Sequence, residues 1–171
     1  ILSEALAKKG ANVTAIDLAD GPLSVARIRE SKSQLGINYR KVSSGELAQE
    51  GEQYDVVTCL EMLEHVPVPA QIVKDCARLA KDGGHIFFST INRNLKSFVF
   101  AILGAEYILN ILPQGTHDYD KLIKPSELKK YIDDASLSFE EVRGMSYLPL
   151  FDIVKLTDDS SVNYIIHATK K

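Results

Sequence analysis

The fold is decided by residues 54–90, YDVVTCLEMLEHVPVPAQIVKDCARLAKDGGHIFFST. The β-branched run over 54–59 predicts a strand, apolar residues at helical spacing predict a helix over 70–81, and a second strand is predicted over 85–90. Strand, helix and strand at this short spacing favour a parallel pair of strands, because the helix carries the chain back to the same end of the sheet. The sequence therefore predicts an α/β protein whose binding sites lie beyond the carboxyl ends of the strands.

The chain on either side continues the alternation of helices and strands. Upstream, the patterns predict a helix over 1–9, a strand over 12–17, a helix from about 20 to 35 and a strand over 38–42. Downstream, they predict a helix over 125–134 and closing strands over 138–143 and 163–169. Because the segment between the closing strands is mixed and turn-rich, we expect these two strands to be antiparallel.

The composition is that of one globular domain. The chain has 171 residues, of which 45% are hydrophobic and 25% are charged, so we predict a single domain over 1–171 with a hydrophobic insert at about 96–117. The formal net charge of −3 argues against non-specific binding to nucleic acid. Two cysteines, Cys59 and Cys76, give neither a disulfide framework nor a paired metal-binding motif, which favours a reduced, cytoplasmic setting. Because the chain opens in a helical pattern without a methionine, we expect the natural protein to continue upstream.

Asp17 ends the predicted strand over 12–17 and precedes a helix. An acid in this position of an α/β nucleotide site accepts hydrogen bonds from ribose hydroxyls. The alternative is a solvated acid at the end of a strand. The glycine-rich turn that precedes such an acid by about 20 residues would lie before Ile1.

Glu61, Glu64 and His65 follow the strand over 54–59. If this segment is a helical turn, their spacing places all three side chains on one face. Two carboxylates and an imidazole on one face suit a divalent cation or a general base. The alternative is a capping acid followed by a surface histidine.

The stretch from Phe98 to Leu112 is the most hydrophobic in the chain. A helix of this length spans about 22 Å, which is less than the roughly 30 Å of a bilayer's hydrocarbon core, so we do not expect it to cross a membrane. Two alternatives remain: a buried core helix, or a helix lying in the membrane surface with Lys96 near one end.

Several motifs together resemble the class I S-adenosylmethionine-dependent methyltransferases. They are Asp17, QYDVVTC over 53–59, EMLEHVP over 61–67, KDGG over 81–84 and FSTINRN over 88–94. More narrowly, GAEYIL over 104–109, GTHD over 115–118 and IKP over 123–125 resemble the ubiquinone biosynthesis O-methyltransferase family. The similarity extends over the whole chain.

This resemblance implies a Rossmann-like fold. The family's sheet is mostly parallel, with helices on both faces and an antiparallel C-terminal strand pair. Its first strand and glycine-rich loop would precede Ile1 and are absent from this sequence. We therefore expect residues 1–171 on their own to bind the cofactor poorly.

The resemblance also implies roles for individual residues. Asp17 would hold the ribose of S-adenosylmethionine (SAM), and Leu60 would contact the cofactor through its backbone. Glu61, Glu64 and His65 would bind Mg²⁺ or another divalent cation. Because Mg²⁺ prefers oxygen ligands and imidazole suits other metals better, His65 is also a candidate catalytic base.

The implied activity is methylation of a ring hydroxyl of a polyprenylated phenol or quinol, of the 2-polyprenyl-6-hydroxyphenol and 3-demethylubiquinol types. The implied partners are this substrate, a lipid surface contacted through residues of about 96–113, and other enzymes of ubiquinone biosynthesis, with no nucleic acid. The implied location is cytoplasmic, with peripheral association with the inner (cytoplasmic) membrane.

Two other functions are compatible with parts of the sequence. An NAD-dependent oxidoreductase of Rossmann type would also place Asp17 on a ribose, but the chain has no Tyr-x-x-x-Lys pair and such an enzyme has no need of the glutamate cluster. A non-enzymatic membrane-docking module would have the stretch from Phe98 to Leu112 as its functional element. Binding of S-adenosylhomocysteine (SAH) or of NAD separates the two enzyme classes.

Overall fold

The structure is a computed structural model that describes residues 1–94, 119–148 and 153–171. The predicted insert at about 96–117, which includes the stretch from Phe98 to Leu112, lies outside the described residues. The chain divides into two compact units, residues 1–51 and residues 52–171.

The first unit alternates helices with two parallel strands. Its elements are α1 (Leu2–Lys8), β1 (Thr14–Asp17), α2 (Asp20–Ser33), β2 (Asn38–Lys41) and α3 (Ser44–Gln49). Strands β1 and β2 pair in parallel, from Thr14 opposite Asn38 to Asp17 opposite Lys41. These elements confirm the predicted helices and strands of this region. Helix α3 was not predicted, although Ser43 and Glu46 form the capping box that begins it.

The second unit contains a five-stranded sheet. Its elements are β3 (Tyr54–Leu60), a 3₁₀ turn (Leu63–His65), α4 (Pro69–Leu79), β4 (Ala80–Ile91), a second 3₁₀ turn (Tyr119–Lys121), α5 (Pro125–Asp134), β5 (Leu137–Leu148), β6 (Ile153–Thr157) and β7 (Asn163–Lys170). The strand order is β3-β4-β7-β5-β6. As predicted, β3 and β4 are parallel. The other three pairs are antiparallel, so the antiparallel part is larger than the predicted strand pair.

The core of this unit lies on one face of β4 and β7. Side chains alternate between the two faces of a strand, so Phe88 and Thr90 of β4 lie on the same face. Tyr164 of β7 is paired with Thr90 and lies on this face as well. Helices α4 and α5 pack on this face. Their buried residues in the core cluster are Val73, Cys76 and Ala77 on α4 and Leu128 and Ile132 on α5.

The boundary between α4 and β4 differs from the prediction. The helix predicted over 70–81 ends at Leu79, because Ala80 has an extended backbone and pairs with Tyr54 of β3. The strand therefore begins five residues before the predicted His85. Strand β6 forms within the segment that the sequence marks as turn-rich, since it pairs with the end of β5.

Candidate active site

Glu61 begins the candidate site directly after β3. Its backbone is in the left-handed region, with φ of 50°, a conformation that costs a residue with a side chain about 1–2 kcal/mol. Its N–H donates to the backbone oxygen of Ser89 at 3.0 Å and to the Ser89 hydroxyl at 3.1 Å. Strain of this kind persists only where the surroundings hold it, and it is concentrated at functional sites.

The carboxylate of Glu61 is held by the same serine. The Ser89 hydroxyl donates to Oε1 of Glu61 at 2.6 Å, a short hydrogen bond of the charge-assisted kind. Ser89 is 1% exposed, whereas Glu61 is exposed to solvent. A buried hydroxyl thus fixes an exposed carboxylate at the end of the parallel strands.

Glu64 lies in a different environment. Its side chain is 3% exposed, and its Oε2 accepts a hydrogen bond from the Thr90 hydroxyl at 2.8 Å. Its Oε1 has no hydrogen-bond partner in the described part of the chain. Burial raises the pKa of the nearby Tyr164 phenol well above its usual value, and the charges of neighbouring carboxylates, including Glu64, raise it further. Tyr164 therefore stays protonated and donates to the backbone oxygen of Ile123 at 2.9 Å.

Glu61 and Glu64 accept hydrogen bonds from hydroxyls on opposite faces of the sheet. Ser89 and Thr90 are consecutive residues of β4, and consecutive side chains of a strand point to opposite faces. Thr90 is on the core face, beside Tyr164, and Ser89 is on the other face. These hydrogen bonds draw the two carboxylates toward different faces, although the charge of each still raises the pKa of the Tyr164 phenol.

His65 is the exposed last residue of the 3₁₀ turn. Its backbone N–H donates to the backbone oxygen of Met62 at 3.0 Å. The segment is a 3₁₀ turn and not the helical turn on which the prediction of one shared face depends. Glu64 is buried, whereas Glu61 and His65 are exposed. Within residues 1–94, 119–148 and 153–171, no three His, Cys, Asp or Glu side chains gather closely enough to hold a metal ion. The arrangement does not fit a single cation bound by Glu61, Glu64 and His65 together.

The two predicted cofactor residues lie at strand ends. Asp17 is the last residue of β1, is exposed, and accepts the Ala19 N–H at 2.8 Å through Oδ1. It lines a cavity of about 190 Å³ within the first unit, together with Ile16 and Tyr39. This volume is below the roughly 300 Å³ of a site that encloses a small molecule, so it suits part of a ligand. Leu60 is the exposed last residue of β3.

The segment after β4 has a structural role. The side-chain amides of Asn92 and Asn94 donate to the backbone oxygens of Ser160 and Ser161 at 3.0 and 2.6 Å. Arg93 forms an ion pair with a glutamate at the start of α5. The two asparagines fasten the turn before β7 to the end of β4, and the arginine fastens this end to α5.

Two histidine side chains that the sequence does not connect meet across β4 and β7. His85 Nδ1 and His167 Nε2 are 2.9 Å apart, and Phe87 stacks on the His167 ring with centroids 4.8 Å apart. Their contact depends on the pairing of β4 with β7, which the spacing of residues along the chain does not reveal.

The two cysteines are free and buried. A hydrogen bond with Cys59, followed by burial, raises the pKa of the Cys76 thiol well above its ordinary value. Because the thiolate is the reactive form, Cys76 is a packing residue of α4.

Comparison with known sequences places the chain in a family. The pattern of a family described as a methyltransferase domain matches residues 1–88. The ubiquinone biosynthesis O-methyltransferase of Hahella chejuensis is 55% identical over 171 residues, which cover 99% of this chain and 72% of that protein. The enzyme of the same name from Stutzerimonas stutzeri is 53% identical over 172 residues, with 100% and 74% covered.

Solved structures share the fold at lower identity. Magnesium protoporphyrin IX methyltransferase from Synechocystis, with bound SAH, matches with a TM-score of 0.70 and 20% identity over 99% of this chain and 69% of that chain. A SAM-dependent methyltransferase from Methanosarcina mazei matches with a TM-score of 0.70 and 14% identity, covering 98% and 86%. The fold is that of the class I SAM-dependent methyltransferases, and the chain belongs to the ubiquinone biosynthesis O-methyltransferase family.

Proposed function

We propose that the protein is a SAM-dependent O-methyltransferase that methylates ring hydroxyls of polyprenylated phenols and quinols in ubiquinone biosynthesis. Its substrates are of the 2-polyprenyl-6-hydroxyphenol and 3-demethylubiquinol types. The observation that carries the proposal is the Glu61 carboxylate, which Ser89 holds directly after β3. Membership of the family and the exposed His65 nearby support it.

The chemistry of the substrate assigns separate tasks to Glu61 and His65. A phenol has a pKa near about 10, so little phenolate exists at neutral pH. Bound SAM supplies an electrophilic methyl group on a sulfonium. In our proposal His65 takes the proton of the reacting hydroxyl as a neutral imidazole. Both substrate types carry a second hydroxyl on the neighbouring ring carbon, and Glu61 accepts a hydrogen bond from it, which orients the ring.

Asp17 and Leu60 are the proposed cofactor residues. An exposed carboxylate at the end of β1 suits ribose hydroxyls, because it accepts hydrogen bonds, and its Oδ1 is already oriented by the Ala19 N–H. Leu60 ends β3 beside the site and has exposed surface for cofactor contact.

Magnesium is the part of the family's chemistry that this arrangement supports least. The resemblance assigns the cation to Glu61, Glu64 and His65, but the two carboxylates bind hydroxyls on opposite faces of β4. In this proposal His65 takes the proton and Glu61 orients the ring, and neither task requires an ion shared with Glu64.

A lipid surface is the proposed meeting place with the substrate. The polyprenyl tail partitions into a bilayer, and the sequence over 98–112 is suited to lie at a membrane surface. None of the helices described here is long and apolar enough to cross a membrane. We propose peripheral association with the cytoplasmic face of the inner membrane, where other enzymes of ubiquinone biosynthesis are candidate partners.

We expect the full-length protein to transfer the SAM methyl group to 2-polyprenyl-6-hydroxyphenol. Mass spectrometry of the lipid extract measures the methylated product. Because His65 is the proposed base, His65→Gln should lower kcat about 100-fold, and the matched control His85→Gln should keep the wild-type rate. The proposal fails if the folded protein binds SAH and methylates neither substrate type.

We also expect SAH binding to depend on Asp17. Isothermal titration of the full-length protein should show that Asp17→Ala weakens SAH binding more than tenfold, because hydrogen bonds to a charged group contribute about 1.5–3 kcal/mol. Asp20→Ala is the matched control, since Asp20 is exposed and pairs with Lys41 on the surface. Equal affinity of Asp17→Ala and the wild type, or tight binding of NAD, would contradict the assignment.

A further inference from the structure

Ser89 lies beside the point where the chain leaves β3 and enters the proposed site. In the register of β3 and β4 it is the partner of Leu60, the residue before Glu61. With 1% of its surface exposed, Ser89 contacts protein atoms and not the solvent from which a substrate arrives. Any effect of Ser89 on methyl transfer must therefore pass through a neighbouring residue.

That neighbouring residue is Glu61, because Ser89 binds both its backbone N–H and its carboxylate. The Glu61 N–H donates to the Ser89 backbone oxygen at 3.0 Å and to its hydroxyl oxygen at 3.1 Å. The same hydroxyl donates a hydrogen bond to Oε1 of Glu61 at 2.6 Å. One serine thus fixes both the left-handed backbone of Glu61 and the direction of its carboxylate.

Thr90 provides a comparison within the same strand. Its hydroxyl binds Glu64 at 2.8 Å in the same way, but Glu64 is 3% exposed and belongs to the core face. The two pairs are alike in chemistry and differ in exposure. Of these two pairs, the pair of Ser89 and Glu61 is the one that presents its carboxylate to solvent at the end of the sheet.

We propose that Ser89 is a positioning residue for methyl transfer and acts through Glu61. This inference rests on the function proposed above. The Ser89 hydroxyl occupies Oε1 and prevents the carboxylate from rotating, so that Glu61 meets the second ring hydroxyl in one orientation. Thr90 and Glu64 instead fasten the 3₁₀ turn to the core.

A double-mutant cycle on the full-length protein tests this inference. The rates of methyl transfer are compared for the wild type, Ser89→Ala, Glu61→Gln and the double variant. We expect Ser89→Ala to lower kcat about tenfold, since it removes a hydrogen bond to a charged group, with little change in the KM for SAM. In the Glu61→Gln background Ser89→Ala should have no further effect, because the residue it acts through is already changed.

Thr90→Val is the matched control. It removes the equivalent hydroxyl from the buried pair, so it should lower the midpoint of thermal unfolding while kcat stays near the wild-type value. The positioning role would be overturned if the kcat losses of Ser89→Ala and Glu61→Gln multiplied in the double variant. Equal kcat losses in Ser89→Ala and Thr90→Val would overturn it as well, and either result would leave the proposed function in place. An inactive wild type would instead defeat the proposed function, and this inference with it.

Discussion

Glu61→Gln is expected to lower kcat for methyl transfer about 100-fold in the full-length protein, the loss typical of a misoriented reactant. The substitution keeps the shape of the side chain and removes the charge that, in the proposed function, accepts a hydrogen bond from the second ring hydroxyl. Because Glu61 is exposed and glutamine keeps an oxygen that accepts the Ser89 hydrogen bond, the substitution should act on the reaction more than on the fold. Steady-state rates at saturating SAM, with the unfolding midpoint as a check on folding, measure the effect.

Glu64→Gln is the matched comparison for this prediction. Glutamine keeps an oxygen that accepts the Thr90 hydrogen bond, and the side chain lies on the core face. We therefore expect most of the wild-type rate to remain. If both glutamines reduced kcat to the same extent, the two carboxylates would share a task, as a common cation requires, and the separation argued here would be wrong.

Phe88→Ala is expected to lower the free energy of unfolding by about 3–5 kcal/mol, the usual range when a buried phenylalanine is cut back to alanine. Phe88 is 0% exposed and lies on the face of β4 that packs against α4 and α5. Its removal leaves a cavity at the centre of the core. Urea unfolding followed by circular dichroism measures the loss.

Phe87→Ala tests the alternation of faces on which the site argument depends. Phe87 is the preceding residue, is partly exposed, and contacts His167 on the other face. Its replacement should cost about 1–2 kcal/mol, near the middle of the range for single substitutions. A Phe87→Ala loss as large as that of Phe88→Ala would mean that the faces of β4 are not those described.

The regular elements are largely readable from the sequence, because hydrophobic spacing and turn residues act locally. The strand before Glu61 and the helix over 125–134 follow their patterns closely. The start of β4 does not, because Ala80 is a good helix former that pairs with Tyr54 only once the sheet has assembled. Helix α3 carried a readable signal, the capping box of Ser43 and Glu46.

The sequence indicates where along the chain the candidate site residues lie, directly after β3, but it does not indicate which side chains they contact. The residues after β3 were identified because parallel strands collect functional groups at their carboxyl ends. Spacing along the chain could not show that Ser89 and Thr90 would direct Glu61 and Glu64 to opposite faces. That outcome depends on the register between β3 and β4, which is set by the whole sheet.

The most direct test of this separation is a crystal structure of the full-length protein, grown with SAH and magnesium chloride. We expect Glu61 Oε1 to lie within hydrogen-bonding distance of the Ser89 hydroxyl, and Glu64 Oε2 within that distance of the Thr90 hydroxyl, on opposite faces of β4. Electron density for one cation coordinated by both carboxylates would contradict the account.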